Sequence, residues 1–259
     1  MSVPVRLSSV SPVFEPETSV TRLGMIALAT DLTSERDAGR VLPPGDAALH
    51  VARVAYENPT TPENLRKMGP RLTEAAELLA PVPDLRAVWY SCTAASVEIG
   101  DAEVTAAISS ALPGVPVVTP PDAALQGFAA LGVRRIALVT PYLVRTTEPM
   151  AAYFASRGLD IVSAECLGLE DDRDMARITS DTILAAATAA DHPQADGVFI
   201  SCTALPAMGV IPEIEERLGK PVISSNQASL WRMAHHASLM SGVHGFGRLF
   251  DVTPMEDAA

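Results

Sequence analysis

Short runs of apolar residues alternate with longer amphipathic stretches along most of the chain. Six runs are typical of strands buried on both faces of a parallel sheet: Leu23–Ala29, Ala87–Tyr90, Val115–Val118, Arg135–Val139, Gly197–Ile200 and Pro221–Ile223. The stretches between them carry apolar residues at helical spacing. This alternation of strands and helices predicts an α/β protein with parallel sheets.

Four of the helices have recognisable limits. Thr61-Pro62 supplies a cap and a proline at the first helical position, and it predicts a helix that continues through Leu65–Leu79. A second helix over Ala123–Leu131 ends at a glycine. Two more are predicted over Asp172–Ala190 and around Gln227–Met240, and we expect the last one to cross back onto the first half of the chain.

The chain contains an internal repeat. Ser91-Cys92-Thr93-Ala94 follows one predicted strand, and Ser201-Cys202-Thr203-Ala204 follows another. The segments Arg22–Thr30 and Val133–Thr140, each containing a predicted strand, recur at the same spacing as the two tetrapeptides. Three markers in the same order, the third being a Gly-x-Pro-Val segment in each half, indicate a duplication.

Duplication predicts two α/β lobes related by a pseudo-twofold axis. We expect a flexible leader over 1–20, a first lobe over 21–131, a second over 132–232, and a C-terminal helix and tail over 233–259. Ligands of open parallel sheets bind beyond the carboxyl ends of the strands. Because Cys92 and Cys202 both lie at such ends, we expect them to face each other across one cleft between the lobes.

Composition and charge narrow the classes of partner. Hydrophobic residues make up 48% of the chain, which is typical of a globular protein, and the net charge of −12 argues against a nucleic-acid partner. No stretch reaches the roughly 18 apolar residues that span a bilayer, so we expect no membrane contact. Three scattered cysteines predict free thiols in a reducing cytoplasm, and α/β lobes of this kind often pair, so we expect a homo-oligomer.

Two opposed cysteines allow two kinds of isomerisation. A cysteine reacts as the thiolate, and the N–H groups of the turn after each one are expected to lower its pKa. The sulfur of one cysteine, Cys92 or Cys202, can remove a proton from a substrate carbon. The sulfur of the other can return a proton to the opposite face of that carbon, which is racemisation. Alternatively, one thiolate adds to a double bond, allows rotation and leaves. Cys166 has no counterpart in the repeat and is interpreted as a core residue.

Groups next to the cysteines are candidates for holding the substrate. The Thr93 and Thr203 hydroxyls, with the backbone at Ala94 and Ala204, can bind a carboxylate and the enolate-like charge of the reaction. Four other polar residues at strand ends are explained equally well as caps and turn formers: Ser96, Ser224, Ser225 and Asn226.

Cofactor motifs are missing from the sequence. The adjacent pair His235-His236 points in two directions on a helix and has no further ligand at a suitable spacing, so no metal is expected. No glycine-rich nucleotide-binding loop follows a strand. We therefore predict catalysis without a cofactor.

These motifs resemble a known superfamily. With both Ser-Cys-Thr segments, the strand at Gly24-Met25-Ile26 and Thr140-Pro141-Tyr142, the chain resembles the aspartate/glutamate racemase superfamily, in the branch of maleate cis–trans isomerase and arylmalonate decarboxylase. The resemblance implies two flavodoxin-like lobes, no metal or organic cofactor, and a small carboxylate substrate that Tyr142 contacts. It also implies that both cysteines act in the isomerases, whereas the decarboxylases keep only the second one.

Two acidic residues depart from the maleate isomerase pattern. Asp31 and Asp172 lie in regions where those isomerases have asparagine. Carboxylates would repel a dicarboxylate, so we expect a substrate with a cationic amino group or one carboxylate fewer. The segments Asn58–Asn64 and Leu169–Met175 resemble ectoine-utilisation members of the branch, which implies an amino-acid-like intermediate of ectoine or hydroxyectoine breakdown.

The sequence thus predicts a cofactor-independent racemase, epimerase or cis–trans isomerase of a small carboxylate. One alternative is a decarboxylase-like lyase in which Cys202 alone protonates an enediolate. The other is a non-catalytic ligand-binding protein on the same fold.

Overall fold

The computed structural model of the protein describes residues 3–241 and 243–254. The first two residues of the expected leader lie outside the described residues, as do residue 242 and residues 255–259 of the expected C-terminal tail.

Eight parallel strands form two sheets of four among the described residues. They are β1 Thr21–Leu28, β2 Ala47–Val54, β3 Leu85–Ser91, β4 Val117–Val118, β5 Arg135–Thr140, β6 Asp160–Cys166, β7 Gly197–Ile200 and β8 Val222–Ser224. The strand orders β2-β1-β3-β4 and β6-β5-β7-β8 are the same. This order begins the flavodoxin-like series, so the predicted α/β fold with two matching parallel sheets is confirmed.

Two of the four edge strands, β2 and β6, were not predicted from the sequence. Each contacts only one neighbouring strand, and most of its residues are partly or fully exposed. Polar residues such as His50 and Arg53 therefore interrupt β2, and Ser163 and Glu165 interrupt β6. An edge strand of this kind has no continuous apolar run to mark it.

Eleven α-helices connect the strands within the described part of the chain. They are α1 Ser34–Val41, α2 Pro62–Arg66, α3 Leu72–Glu77, α4 Thr93–Ile99, α5 Asp101–Ala111, α6 Pro120–Ala130, α7 Val144–Ser156, α8 Asp172–Met175, α9 Ser180–Ala190, α10 Ile211–Leu218 and α11 Ser225–His236. Three short 3₁₀ helices cover Glu17–Ser19, Gly69–Arg71 and Arg248–Asp251.

Two of the predicted helices are each divided in the structure. The one predicted through Leu65–Leu79 is interrupted by the 3₁₀ turn Gly69–Arg71, because Pro70 has no N–H for an α-helical hydrogen bond. The one predicted over Asp172–Ala190 restarts at Ser180, where the Thr179 side chain accepts a hydrogen bond from a backbone N–H and caps α9.

Helix α11 joins the two sheets. It begins at Ser225 through a capping box between Ser224 and Gln227, ahead of the boundary at residue 232 that the sequence suggests. Its first ten residues are buried, and it packs against α1, α6 and β3 from the first half as well as β8. The lobe boundaries themselves stay a prediction.

The segment before β1 exposes apolar side chains. Val3, Val5, Leu7, Val13 and Phe14 are each more than four-fifths exposed. No helix in the described part of the chain has the length and apolar content to cross a membrane. The expected homo-oligomer and cytoplasmic location stay predictions.

Gly24 in β1 lies in close contact with Val88 of the paired strand β3 and with Leu79, which follows α3. A Cβ at this position would lie 2.8 Å from Val88 Cγ2 and 3.2 Å from Leu79 Cδ1. We expect Gly24→Ala to lower the free energy of unfolding by about 1–3 kcal/mol because β-branched Val88 has little freedom to move. Urea denaturation followed by circular dichroism measures this change.

The control is Gly39→Ala on the exposed side of α1, where a Cβ meets no atom within 4 Å. Alanine there should leave stability unchanged or raise it by up to about 1 kcal/mol. Equal stability of Gly24→Ala and the natural protein would contradict the close packing described for β1.

Candidate active site

The carboxyl ends of both sheets open into one cavity of about 350 Å³. Thirteen residues line it: Leu28, Asp31, Tyr56, Thr60, Leu65, Cys92, Ala94, Tyr142, Asp172, Met175, Cys202, Thr203 and Ala204. Eight of the nine residues that the sequence suggests for the site are therefore brought together. The ninth, Thr93, does not line the cavity.

The two halves supply equivalent parts of the cavity wall. Cys92 directly follows β3 and Cys202 follows β7, the corresponding strands of the two sheets. The central strands β1 and β5 lead to Asp31 and Tyr142, and the edge strand β6 leads to Asp172. The expectation that both sulfurs face one cavity between the sheets agrees with this arrangement.

The backbone holds the two cysteines differently. Cys92 has an extended conformation and precedes α4. Cys202 has φ = 110°, in a region that residues with a side chain rarely adopt, and a turn follows it. Such backbone strain persists only where surrounding contacts determine the conformation, and it is concentrated at functional sites.

Burial raises the pKa of both thiols, contrary to the lowering expected from the sequence. For Cys92, loss of solvent is the largest cause, and the Ala95 N–H opposes it. For Cys202, loss of solvent raises the pKa to about 12, although the Tyr142 hydroxyl and the Ala204 and Leu205 N–H groups favour the thiolate. The backbone donors that the sequence suggests are present, but the cost of burying a charge exceeds their effect.

Asp31 uses its carboxylate to organise its own loop. Oδ1 accepts hydrogen bonds from the backbone N–H groups of Thr33 and Ser34, at 2.8 and 2.9 Å. Oδ2 accepts from the Ser34 and Ser91 hydroxyls, at 2.6 and 3.3 Å. Because a carboxylate has about four acceptor positions, Asp31 has little capacity left for a ligand.

Asp172 keeps acceptor capacity at the cavity. Its Oδ1 accepts from Asn58 Nδ2 at 2.8 Å, and its Oδ2 accepts from the Thr30 hydroxyl. Burial raises the pKa of Asp172, and these two hydrogen bonds oppose the rise. The charge of Asp172 in turn raises the pKa of both Cys92 and Cys202.

The cavity wall is acidic and has no cationic partner. Its thirteen lining residues include two carboxylates, two thiols and two phenols, but no arginine, lysine or histidine. Within residues 3–241 and 243–254, no group of three or more His, Cys, Asp and Glu side chains is arranged to hold a metal ion. The wall therefore favours a ligand that brings its own positive charge.

The Thr93 hydroxyl forms a hydrogen bond within the protein and does not line the cavity. It donates to Ser225 Oγ at 2.7 Å in a fully buried position, so it is not directed at a ligand. Thr203 does line the cavity, but its hydroxyl donates to the Ser91 carbonyl at 3.1 Å. The single hydroxyl proton of each threonine is therefore donated within the protein, and substrate binding by these two residues stays a prediction.

The other polar residues considered at strand ends support the site from outside the cavity. The Ser96 hydroxyl donates to the Cys92 carbonyl at 2.8 Å, Ser224 caps α11, and Ser225 Oγ accepts from the Cys202 N–H at 3.0 Å. Asn226 donates to the Thr203 carbonyl at 2.9 Å. These bonds fix the backbone around both cysteines.

Sequence reasoning missed five residues of the lining: Leu28, Tyr56, Thr60, Leu65 and Met175. Tyr56 and Thr60 follow β2. Because β2 has no continuous apolar run, the sequence does not indicate that these two residues lie at the carboxyl end of a strand. The Tyr56 hydroxyl donates to Thr60 Oγ1 at 2.9 Å. The available signal is the alternation of apolar and polar residues in β2, which is typical of a partly exposed strand.

Comparisons with known proteins identify the family. The family model Amdase, described as arylmalonate decarboxylase, matches residues 99–250, which is more than half of the chain. Arylmalonate decarboxylase of Bordetella bronchiseptica is 38% identical over 154 residues. That match covers 58% of this chain and 64% of the decarboxylase, less than two thirds of its length. Maleate isomerase of Nocardia farcinica is 26% identical over 242 residues, covering 89% of this chain and 95% of the isomerase.

Solved structures show the same fold. A maleate isomerase from Pseudomonas putida S16, with one cysteine replaced by alanine and maleate bound, has a TM-score of 0.84 at 23% identity, over 92% of this chain and 100% of that one. A mutant arylmalonate decarboxylase, with a glycine replaced by cysteine and a cysteine by serine, has a TM-score of 0.80 at 32% identity. It covers 90% of this chain and 99% of that one.

The resemblance to the branch of maleate isomerase and arylmalonate decarboxylase is thereby confirmed, and these relatives are enzymes. Closeness to the ectoine-utilisation members stays a prediction. With a matching family model over more than half its length and a decarboxylase structure aligned along nearly all of it, the chain belongs to the arylmalonate decarboxylase family.

Proposed function

We propose that the protein is a cofactor-independent isomerase that racemises or epimerises a small carboxylate bearing a cationic nitrogen. The observation that carries this proposal is the presence of Cys92, Cys202 and Asp172 in the wall of one cavity. The two thiols are the acid–base pair, and Asp172 receives the nitrogen. The cavity is small and lined by side chains from both halves of the chain, which suits a small substrate.

The reaction is a proton exchange that leaves the composition of the substrate unchanged. One sulfur, as thiolate, removes the proton from the carbon beside the carboxylate, and the electrons of that C–H bond pass into an enediolate. The other sulfur, as thiol, then donates its proton to the opposite face of the same carbon. The roles of Cys92 and Cys202 are exchanged afterwards, so no oxidant or cofactor is needed.

The substrate's own charge would activate the thiols. Burial and the charge of Asp172 both raise the pKa of the thiols and so favour their protonated form. An ammonium group beside Asp172 neutralises that repulsion and adds a positive charge near both sulfurs, which lowers their pKa. A thiolate formed from a thiol of high pKa is also a strong base, as removal of a proton from carbon requires.

Donors for the carboxylate are available on both walls. The first N–H groups of a helix have no intrahelical acceptor, and those of α4 follow Cys92. The N–H groups after Cys202 and the Tyr142 hydroxyl lie on the other side. These groups would hold the carboxylate and stabilise the enediolate charge as it forms.

An amino-acid-like intermediate of ectoine or hydroxyectoine breakdown is our finer proposal for the substrate. It is supported by the resemblance of Asn58–Asn64 and Leu169–Met175 to ectoine-utilisation proteins. Asn58 itself donates to both Asp171 and Asp172, so one of these segments supports the acidic group of the other. The cytoplasm is the proposed location of this activity.

A decarboxylase is the second candidate function. The family match and the 38% identity to an arylmalonate decarboxylase favour it. In that reaction a substrate carboxyl leaves as carbon dioxide, and one cysteine, Cys202, protonates the resulting enediolate. The presence of Cys92 in the lining of the same cavity as Cys202 favours the two-sulfur reaction instead.

A screen of enantiopure small amino acids, cyclic amino carboxylates, dicarboxylates and arylmalonates tests the two functions together. We expect loss of optical purity for an amino-bearing carboxylate, followed by chiral chromatography, with no carbon dioxide released. Cys92→Ala and Cys202→Ala should each lower that rate by at least about 10³-fold, because each removes one half of the proton exchange.

The control in the screen is Cys166→Ala, which should leave the rate unchanged because Cys166 does not line the cavity. Release of carbon dioxide from an arylmalonate, with Cys92→Ala still active, would replace the isomerase by the decarboxylase. Binding of a substrate that undergoes no turnover would support the non-catalytic alternative.

Replacing Asp172 tests the electrostatic part of the proposal without any substrate. We expect Asp172→Asn to lower the pKa of both buried thiols, because it removes a negative charge that raises them. A fall of about half to one pKa unit would raise alkylation by iodoacetamide about 3- to 10-fold at a fixed pH. Mass spectrometry measures each cysteine separately, with Cys166 as the internal reference.

The matched control is Asp171→Asn, which changes the neighbouring carboxylate. Arg173 holds the pKa of Asp171 at about 2, and Asp171 does not line the cavity. Alkylation should therefore stay at the rate of the natural protein. If Asp172→Asn has no larger effect than Asp171→Asn, the carboxylate of Asp172 does not act on the thiols.

A further inference from the structure

We infer that Thr93 and Thr203 are positioning residues, each of which holds the cysteine segment of the opposite half of the chain. This inference rests on the proposed function, in which the two sulfurs act on one carbon from opposite sides. The two residues occupy equivalent places in the repeat, directly after Cys92 and Cys202. Both hydroxyls donate to groups of the other half.

Thr203 holds the Cys92 segment directly. Its Oγ1 donates to the Ser91 carbonyl at 3.1 Å, one residue before Cys92. Ser91 is fully buried at the end of β3, and Thr203 is 5% exposed. The hydrogen bond therefore connects the turn after β7 to the last residue of β3 in a buried place.

Thr93 holds the Cys202 segment through one intermediate. Its Oγ1 donates to Ser225 Oγ at 2.7 Å, and Ser225 Oγ accepts from the Cys202 N–H at 3.0 Å. Both hydroxyl groups are fully buried. Ser225 is the first residue of α11, so the end of β3 and the turn after β7 are both connected to the start of this helix.

One further hydrogen bond from the first half reaches the same turn directly, and another connection reaches it through Asn226. Thr33 Oγ1 donates to the Ala204 carbonyl at 2.6 Å. Asn226 Nδ2 bonds both the Thr203 carbonyl and Asp37 Oδ2, each at 2.9 Å, and so connects the turn to α1. The turn that contains Cys202, with its unfavourable backbone conformation, is thus held by hydrogen bonds that connect it to the other half of the chain.

Such connections are required because the two sulfurs belong to different sheets. No strand pairs across the two sheets within the described residues, so backbone ladders do not fix one sulfur relative to the other. Reacting groups must be held within about 0.5 Å of their productive positions. Buried hydrogen bonds between the halves can supply this accuracy, and each threonine has a single hydroxyl proton, which is already committed.

The experiment removes each hydroxyl and follows the cysteine of the other half. In Thr93→Val the alkylation rate of Cys202 should rise about threefold or more, with a smaller change at Cys92, because a loosened segment opens more often. In Thr203→Val the larger rise should be at Cys92. Thr93→Ser and Thr203→Ser keep the hydroxyl and should restore the natural rates.

The control is Thr73→Val. The Thr73 hydroxyl also donates to a backbone carbonyl, that of Ala107, at a distance of 2.9 Å, and Thr73 does not line the cavity. This substitution should cost similar stability in urea denaturation and leave Cys92 and Cys202 alkylation unchanged. If it changes alkylation as the other valine variants do, or if those variants leave the opposite cysteine unchanged, the positioning role is wrong.

Steady-state kinetics separates positioning from substrate binding once a turned-over compound is known. Positioning predicts that Thr93→Val lowers kcat with little change in KM, whereas a hydroxyl that binds substrate would raise KM at unchanged kcat and overturn the inference. Alkylation needs no substrate, so its result stands or falls separately from the proposed isomerase activity.

Discussion

The chemistry of the site depends on the burial of two thiols and a carboxylate in one cavity, whose lining contains no arginine, lysine or histidine. Loss of solvent raises the pKa of Cys92, Cys202 and Asp172, and the carboxylate adds its repulsion to both sulfurs. These shifts favour the protonated form of both thiols. In the proposed reaction, a positively charged group of the substrate favours the ionised form of all three side chains, so that substrate binding and activation of the thiols are coupled.

The repeat made much of this arrangement predictable. Equivalent Ser-Cys-Thr segments after equivalent strands indicated a duplicated parallel α/β fold, and the carboxyl-end rule placed Cys92 and Cys202 at one cavity. The structure agrees, with two sheets of identical strand order. Asp172 and Tyr142 were located by resemblance to relatives, and both line the cavity as well.

The remaining features depend on contacts between distant parts of the chain. Partly exposed edge strands carry polar residues, so β2 and the Tyr56 side of the wall gave no apolar signal. The sequence indicated donors near the thiols but not how completely the fold removes water, and so the direction of the pKa shifts was wrong. The partners of the Thr93 and Thr203 hydroxyls lie more than a hundred residues away, which no local pattern reveals.

The most direct test of two sulfurs acting on opposite faces is hydrogen exchange in D₂O by single-cysteine variants, with each enantiomer of the turned-over substrate measured by mass spectrometry. We expect Cys92→Ala to exchange the carbon-bound proton of one enantiomer only, and Cys202→Ala to exchange that of the other enantiomer only. Exchange of the same enantiomer by both variants would contradict this expectation, because the two sulfurs would then act on a single face.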